Sequence, residues 1–116
     1  MIKQYKNSSV MEVLPETYIF RDRQAVRHFL EQHPFLVPLL SEAHDVIQHY
    51  FGSSTPIALE VLTDPEVVGD QQLVALIQTD LPPAEALAKL DQFDKDWWLA
   101  ASHESKGKLC IHLEYQ

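Results

Sequence analysis

Residues 56–80, PIALEVLTDPEVVGDQQLVALIQTD, decide the fold class. Two segments within them, 56–64 and 72–80, alternate apolar residues between two faces, which is the period of a β-strand. An acidic turn at 64–70 separates them, and consecutive strands joined by a loop of this length most often pair as an antiparallel hairpin. The residues that share one face are Ile57, Leu59 and Val61 in the first strand and Leu73, Ala75 and Ile77 in the second.

Two helices are predicted before this hairpin. The first covers about 23–32, where Asp22 is a suitable N-cap and Pro34 ends the helical spacing. The second starts near Pro38 and ends at Gly52, a residue type that favours helix C-caps. The apolar residues of this second helix are Leu39, Leu40, Ala43, Val46, Ile47, Tyr50 and Phe51. The tight connection predicts a helical hairpin or corner.

A third helix is predicted after the hairpin, over 81–93, with Pro83 in its first turn. Helical spacing places its apolar residues on one inward face that continues beyond it. The residues of this face are Leu87, Leu90, Phe93 and Trp97. Asp94 is expected to cap a fresh turn, so that both tryptophans would lie on a short helix of about 95–101.

The two ends of the chain each predict an extended segment. A loop at 102–107 leads to a final strand at 108–115, in which alternate residues face inward. These inward residues are Leu109, Ile111, Leu113 and Tyr115. Residues 10–20 predict a short strand or extended arm interrupted by Pro15, and residues 1–9 are polar and expected to be flexible.

The predicted element order is therefore (β)ααββαβ, which is typical of an α+β fold. We expect a small, mainly antiparallel, three- to four-stranded sheet with the helices packed on one face. Residues 10–116 are expected to form a single domain, because a chain of this length buries roughly two-thirds of its unfolded surface.

Composition indicates the cellular compartment in which we expect the protein. No apolar run is long enough to cross a bilayer, and the N-terminal residues lack the apolar segment of a signal peptide. Cys110 is the only cysteine, so an intramolecular disulfide and a zinc site built on several thiolates are both excluded. We therefore expect a soluble, reduced, cytoplasmic protein without a membrane partner.

Charge is distributed unevenly along the chain. No lysine or arginine lies between Arg27 and Lys89, and the stretch 28–88 carries nine acids. These acids are Glu31, Glu42, Asp45, Glu60, Asp64, Glu66, Asp70, Asp80 and Glu85. Such a surface repels a phosphate backbone and favours a basic protein partner, so no nucleic-acid partner is expected. The alternative is that the negative charge only keeps the protein soluble.

Signatures of common enzymes are missing from the sequence. The glycines, Gly52, Gly69 and Gly107, are too scattered for a phosphate-binding loop, and no GxSxG nucleophile motif occurs. We therefore assign no catalytic residue and no cofactor, and a non-enzymatic role is favoured.

A histidine–glutamate group gives an alternative ligand or metal site. His112 and Glu114 share one face of the last predicted strand, and His103 with Glu104 lies in the preceding loop. Two histidines and a carboxylate would suit a metal ion, but nothing in the sequence requires these side chains to converge. Absence of a metal site is the favoured interpretation.

The motif FDKDWW (93–98) contains the only two tryptophans of the chain. Trp97 continues the inward face of the third helix, whereas Trp98 falls at the edge of that face. If Trp98 is exposed, its position beside Asp94 and Asp96 would suit a protein-binding hot spot. The alternative is that both tryptophans are packing residues.

Several segments resemble a family of small uncharacterised bacterial proteins. The resemblance covers about 29–115 and includes HPFLVPLLSEAHDVIQHYFG, IALEVLTDPE and LIQTDLPPAEALAKLDQFDKDWWL. Its most specific part is FDxxWWL followed by GKL. It implies a shared domain and no established activity, and only by analogy does the small size suggest an antitoxin or immunity partner.

These observations favour a non-catalytic acidic module that binds a protein partner, with a basic toxin or nuclease as one class of partner. Trp98, Asp94 and Asp96 are its candidate binding residues. A small enzyme or ligand binder using the histidine–glutamate group is the first alternative. A structural homodimer formed through an exposed edge strand, most simply the C-terminal one, is the second.

Overall fold

The computed structural model of the protein describes residues 17–63, 66 and 70–116. The strands are β1 (Ile19–Phe20), β2 (Ile57–Thr63), β3 (Gln71–Thr79) and β4 (Leu109–Tyr115), and the longer helices are α1 (Arg23–Gln32), α2 (Leu36–Phe51) and α3 (Pro83–Phe93). From α3 the helical path continues through Asp94–Trp98, Leu99–Ala101 and Ser102–Ser105. The α+β class and the predicted element order are both confirmed.

Three predictions fall wholly or largely outside the described residues. They concern the flexible segment 1–9, the acidic turn 64–70 and most of the strand or arm at 10–20. The described part of the last segment begins at Thr17 and contains β1.

The described strands form one sheet in the order β1-β2-β3-β4. β2 and β3 form the predicted antiparallel hairpin, with Leu59 opposite Ala75. β1 runs parallel to β2, and β4 runs parallel to β3. The sheet is therefore mixed and not mainly antiparallel as expected. Helices connect β1 to β2 and β3 to β4. Each of these crossovers carries the chain back to the end of the sheet at which the first strand began, so the second strand runs parallel to the first.

Local signals in the sequence explain where the helices begin and end. The side chain of Asp22 accepts a hydrogen bond from the Ala25 N–H at 3.3 Å, so α1 occupies the predicted range. α2 begins at Leu36, slightly before Pro38, because Pro38 falls within its first turn and needs no N–H there. It ends at Gly52, whose φ of 113° favours glycine.

The core lies between the helices and one face of the sheet. The sheet residues in it are Ile57, Leu59, Leu73, Ala75, Ile77, Leu109 and Ile111, and the helices add Val26, Phe29, Leu30, Leu36, Val37, Leu39, Leu40, Ala43, Ile47 and Phe93. Burying such a side chain stabilises the fold by roughly 1.5–3 kcal/mol. We call the other side of the sheet the outer face; its residues are Ala58, Glu60, Leu62, Gln72, Val74, Leu76, Gln78, Cys110, His112 and Glu114.

The inward face of α3 differs from the prediction at one position. Leu87 is 55% exposed, whereas Ala86 is fully buried. Ala86, Leu90, Phe93 and Trp97 therefore define the inward face. Tyr115, expected to point inward from the last strand, is likewise exposed.

The length and hydropathy of the helices show whether any of them could span a membrane. Among the described residues, no helix is both long enough and apolar enough to cross a bilayer. The longest of them, α2, also carries charged and polar residues on its exposed side, for example Glu42 and Asp45.

Candidate partner-binding site

The FDKDWW motif forms a π-helical turn and not a newly capped α-helix. Asp94 has helical backbone angles, and the Leu99 N–H donates to its carbonyl across five residues. We call Asp94–Trp98 the tryptophan turn. A π turn holds more residues than an α turn, so neighbouring side chains diverge less around the axis. Trp97 and Trp98 both pack against the core, with ring centroids 5.8 Å apart.

Trp97 connects the tryptophan turn to α2. Its ring lies 5.6 Å from that of the fully buried Phe93, and its Nε1–H donates to Glu42 Oε1 at 2.5 Å. A half-buried tryptophan thus gains a partner for its polar atom. Trp97 has the packing role that the sequence predicts for it.

Asp96 is held in place by neighbouring donors. Its carboxylate accepts hydrogen bonds from the Tyr50 hydroxyl and, at 2.9 Å, from Gln92 Nε2. The Tyr50 bond, followed by the Gln92 bond, lowers the pKa of Asp96 and keeps it ionised. Asp96 therefore contributes a fixed negative charge to the surface and also ties the tryptophan turn to α2.

Asp94 lies in a contrasting environment. It is half-buried, and this burial raises its pKa, with a further increase from the nearby Asp91 and a smaller opposing effect from His112. Lys95, the closest cation in sequence, pairs instead with Asp91 at 2.9 Å. Within the described residues Asp94 forms no ion pair. Its carboxylate is thus partly desolvated, and the weaker effect of His112 offsets only part of that cost.

Exposed apolar surface adjoins these acids. Trp98 is half-buried, so part of its ring is accessible, and the next residue, Leu99, is 63% exposed. An indole beside a carboxylate can receive a cation on its ring face while the carboxylate binds the same cation. Trp98 lies four residues after Asp94, about one helical turn, and the exposed Leu99 comes next. Asp96 lies two residues from both Asp94 and Trp98 and directs its carboxylate to Tyr50 and Gln92, and residues two apart on a helix do not share a face.

The four residues of the alternative site are divided between two elements. His103 and Glu104 lie in the 3₁₀ turn Ser102–Ser105, whereas His112 and Glu114 lie on the outer face of β4. Glu114 already binds Arg21 and Gln78. No group of three or more histidine, cysteine, aspartate or glutamate side chains in the described residues is arranged to hold a metal ion.

The outer face of the sheet carries an ion-pair network that sequence reasoning did not find. Arg21 follows β1 and reaches Glu60 on β2 at 3.3 Å and Glu114 on β4 at 2.9 and 2.5 Å. The predicted site also lacks Glu42 and Tyr50, which bind the tryptophan turn. Each of these residues lies far in sequence from the group it binds, so no local motif could identify it.

Two surface clefts lie away from the tryptophan turn. The larger, of about 500 Å³, lies beside β1, and the other, of about 400 Å³, lies beside the end of α2. Both are lined by Ser54 and Pro56. Neither is lined by any of the predicted site residues.

Comparison with known proteins gives no match: no protein-family model matches the chain, nor does any curated protein or solved structure. The resemblance of 29–115 to small bacterial proteins stays a prediction. Function is therefore inferred from the geometry of this chain.

Proposed function

We propose that the protein is a non-catalytic interaction module that binds a basic protein partner. The binding surface consists of Asp94, Trp98 and Leu99, and we call it the docking surface; Asp96, in the same turn, adds negative charge to the region. The observation that carries the proposal is the half-buried carboxylate of Asp94, which forms no ion pair within the described residues and is followed one helical turn later by the half-buried Trp98.

An arginine side chain is the cation that this surface suits best. Its planar guanidinium can bind a carboxylate through two parallel hydrogen bonds and can also stack on an indole. Binding at Asp94 would offset the cost of burying that charge, and stacking on Trp98 would add a cation–π interaction. Leu99 would supply apolar contact beside the charged centre.

The charge of the whole chain supports a basic partner. The net charge is −8, and 28–88 contains no lysine or arginine. A surface of one sign speeds the association of an oppositely charged protein and makes that association sensitive to salt. A basic toxin or nuclease has this chemistry.

Tryptophan fluorescence provides a direct test, because both tryptophans lie in the tryptophan turn. In a Trp97→Phe variant, Trp98 is the only reporter. We expect a short arginine peptide to change its emission in a saturable manner, with affinity that falls as salt increases. Asp94→Asn should weaken this binding by about tenfold, the effect of losing one charge-assisted hydrogen bond.

Two exposed leucines supply a matched control. Leu99→Ala removes apolar surface from the docking surface, whereas Leu87→Ala removes a similarly exposed leucine from α3. Only the first should weaken binding. An emission that does not change on peptide addition, or equal affinities for Asp94→Asn and its parent, would overturn the proposal.

A further inference from the structure

The two edges of the sheet are protected to different degrees. At one edge β1 contains only two residues, and a short edge strand is a common defence against unwanted pairing. At the other edge β4 contains seven residues, LCIHLEY, without a proline. Its register with β3 is unbroken from Leu109 to Tyr115, so no bulge interrupts it.

The hydrogen bonds of β4 show which of its backbone groups point outward. The Lys108 carbonyl accepts from the Leu73 N–H at 2.8 Å, and the Gln116 N–H donates to the Thr79 carbonyl at 2.9 Å. Even-numbered residues of β4 therefore bond to β3, since each residue of a parallel strand directs both of its groups to one side. The odd-numbered residues, Leu109, Ile111, Leu113 and Tyr115, direct theirs to the free edge, where the described residues provide no strand.

The side chains of β4 are complementary to those of the same strand running in the opposite direction. If a two-fold axis passes through Ile111, Leu109 lies opposite Leu113 of the second copy on the core side. On the outer face, Lys108 lies opposite Glu114 of the second copy, which pairs opposite charges. An axis through His112 would instead place Lys108 opposite Gln116, without this charge pairing.

We propose that β4 pairs antiparallel with β4 of a second copy, with the two-fold axis at Ile111. The outward N–H and C=O groups of Leu109, Ile111 and Leu113 then bond across the axis, and each hydrogen-bonded pair exchanges two bonds. The sheets of the two copies become one continuous sheet, and the exposed edge is removed. This inference is independent of the docking surface and does not depend on the proposed function.

A proline at Leu113 tests the pairing without breaking the sheet of the single copy. The Leu113 N–H points to the free edge, so Leu113→Pro removes a bond to the second copy and none to β3. Leu113→Ala is the matched control, since it removes the same side chain and keeps the N–H. By light scattering we expect a dimer for the parent and for Leu113→Ala and a monomer for Leu113→Pro, with circular dichroism verifying that each is folded.

Disulfide cross-linking tests the register. With the axis at Ile111, Cys110 lies opposite His112 of the second copy as a non-hydrogen-bonded pair, with Cα atoms about 4.5 Å apart and within disulfide range. His112→Cys should therefore oxidise to a covalent dimer, and adding Cys110→Ser should abolish it. A dimer that survives Cys110→Ser would place the axis at His112 and overturn the register. A parent that is monomeric at all concentrations, together with a His112→Cys variant that does not cross-link, would overturn the pairing itself.

Discussion

The guanidinium of Arg21 binds the carboxylate of Glu114 through two hydrogen bonds, Nη1–Oε2 at 2.9 Å and Nη2–Oε1 at 2.5 Å. The two residues lie 93 positions apart in sequence and connect the end of β1 to β4 across the outer face. Glu60 on β2 receives a longer contact from the same guanidinium. The Arg21 side chain thereby connects the end of β1 with both β2 and β4.

This pair makes stability depend on pH. The hydrogen bonds from Arg21, and then that from Gln78, lower the pKa of Glu114. Because the folded-state pKa lies below the unfolded value of about 4.3, the contribution is present above that value and is lost as pH falls through the folded pKa. We expect Glu114→Gln to reduce stability at neutral pH and to lessen its decline in acid, as measured by urea unfolding from about pH 7 to about pH 3.

Glu104 supplies the control for this experiment. It lies exposed in the turn Ser102–Ser105 and forms no ion pair within the described residues. Glu104→Gln should therefore leave the acid profile almost unchanged. If the two variants have the same profile, the Arg21–Glu114 pair contributes nothing measurable.

Tyr18 provides a second prediction, since it is 1% exposed and its hydroxyl donates to the Leu40 carbonyl at 2.6 Å. Burial, with a smaller effect of Asp45, raises the pKa of its hydroxyl, so Tyr18 is neutral at physiological pH. Tyr18→Phe keeps the ring and removes the hydrogen bond, which should reduce the free energy of unfolding by about 1 kcal/mol. Chemical denaturation measures this, with the exposed Tyr115→Phe as a control that should change little.

Gly52 provides a third prediction, at the end of α2. Its backbone angles, φ 113° and ψ 148°, lie in a region that residues with a Cβ rarely adopt. A Cβ at this position would meet only the Thr55 hydroxyl oxygen at 3.5 Å, so the cost is backbone strain and not a clash. Gly52→Ala should destabilise the protein by about 1–3 kcal/mol by thermal unfolding, whereas Ser53→Ala at the next, exposed position should have little effect.

Local patterns in the sequence predicted most of the fold. α1 was predicted at 23–32 and occupies Arg23–Gln32, because the apolar spacing and the Asp22 cap act within a few residues of one another. The β2–β3 hairpin was predicted for the same reason. The partner of each remaining strand depends on where the intervening helices return the chain, so the parallel pairings could not be predicted from strand periodicity.

The candidate site was predicted less completely. Its residue types and their proximity within the FDKDWW motif are visible in the sequence. The π turn, however, arises where two adjacent tryptophans pack against one core, and helical periodicity alone gives only the α-helical spacing. The contrast between Asp94 and Asp96 likewise depends on Tyr50, which lies 46 positions from Asp96.

That contrast gives the last prediction, in which stability and binding change in opposite directions. The raised pKa of Asp94 means that its charged form destabilises the fold at neutral pH, an effect that disappears as pH falls below the unfolded value of about 3.9. Asp94→Asn should therefore raise the midpoint of urea unfolding at neutral pH while weakening the arginine-peptide binding described above. Asp96→Asn should lower that midpoint, because it weakens the hydrogen bonds from Tyr50 and Gln92. A loss of stability in Asp94→Asn would show that this carboxylate has a structural role, and would remove the reason to expect a cation beside it.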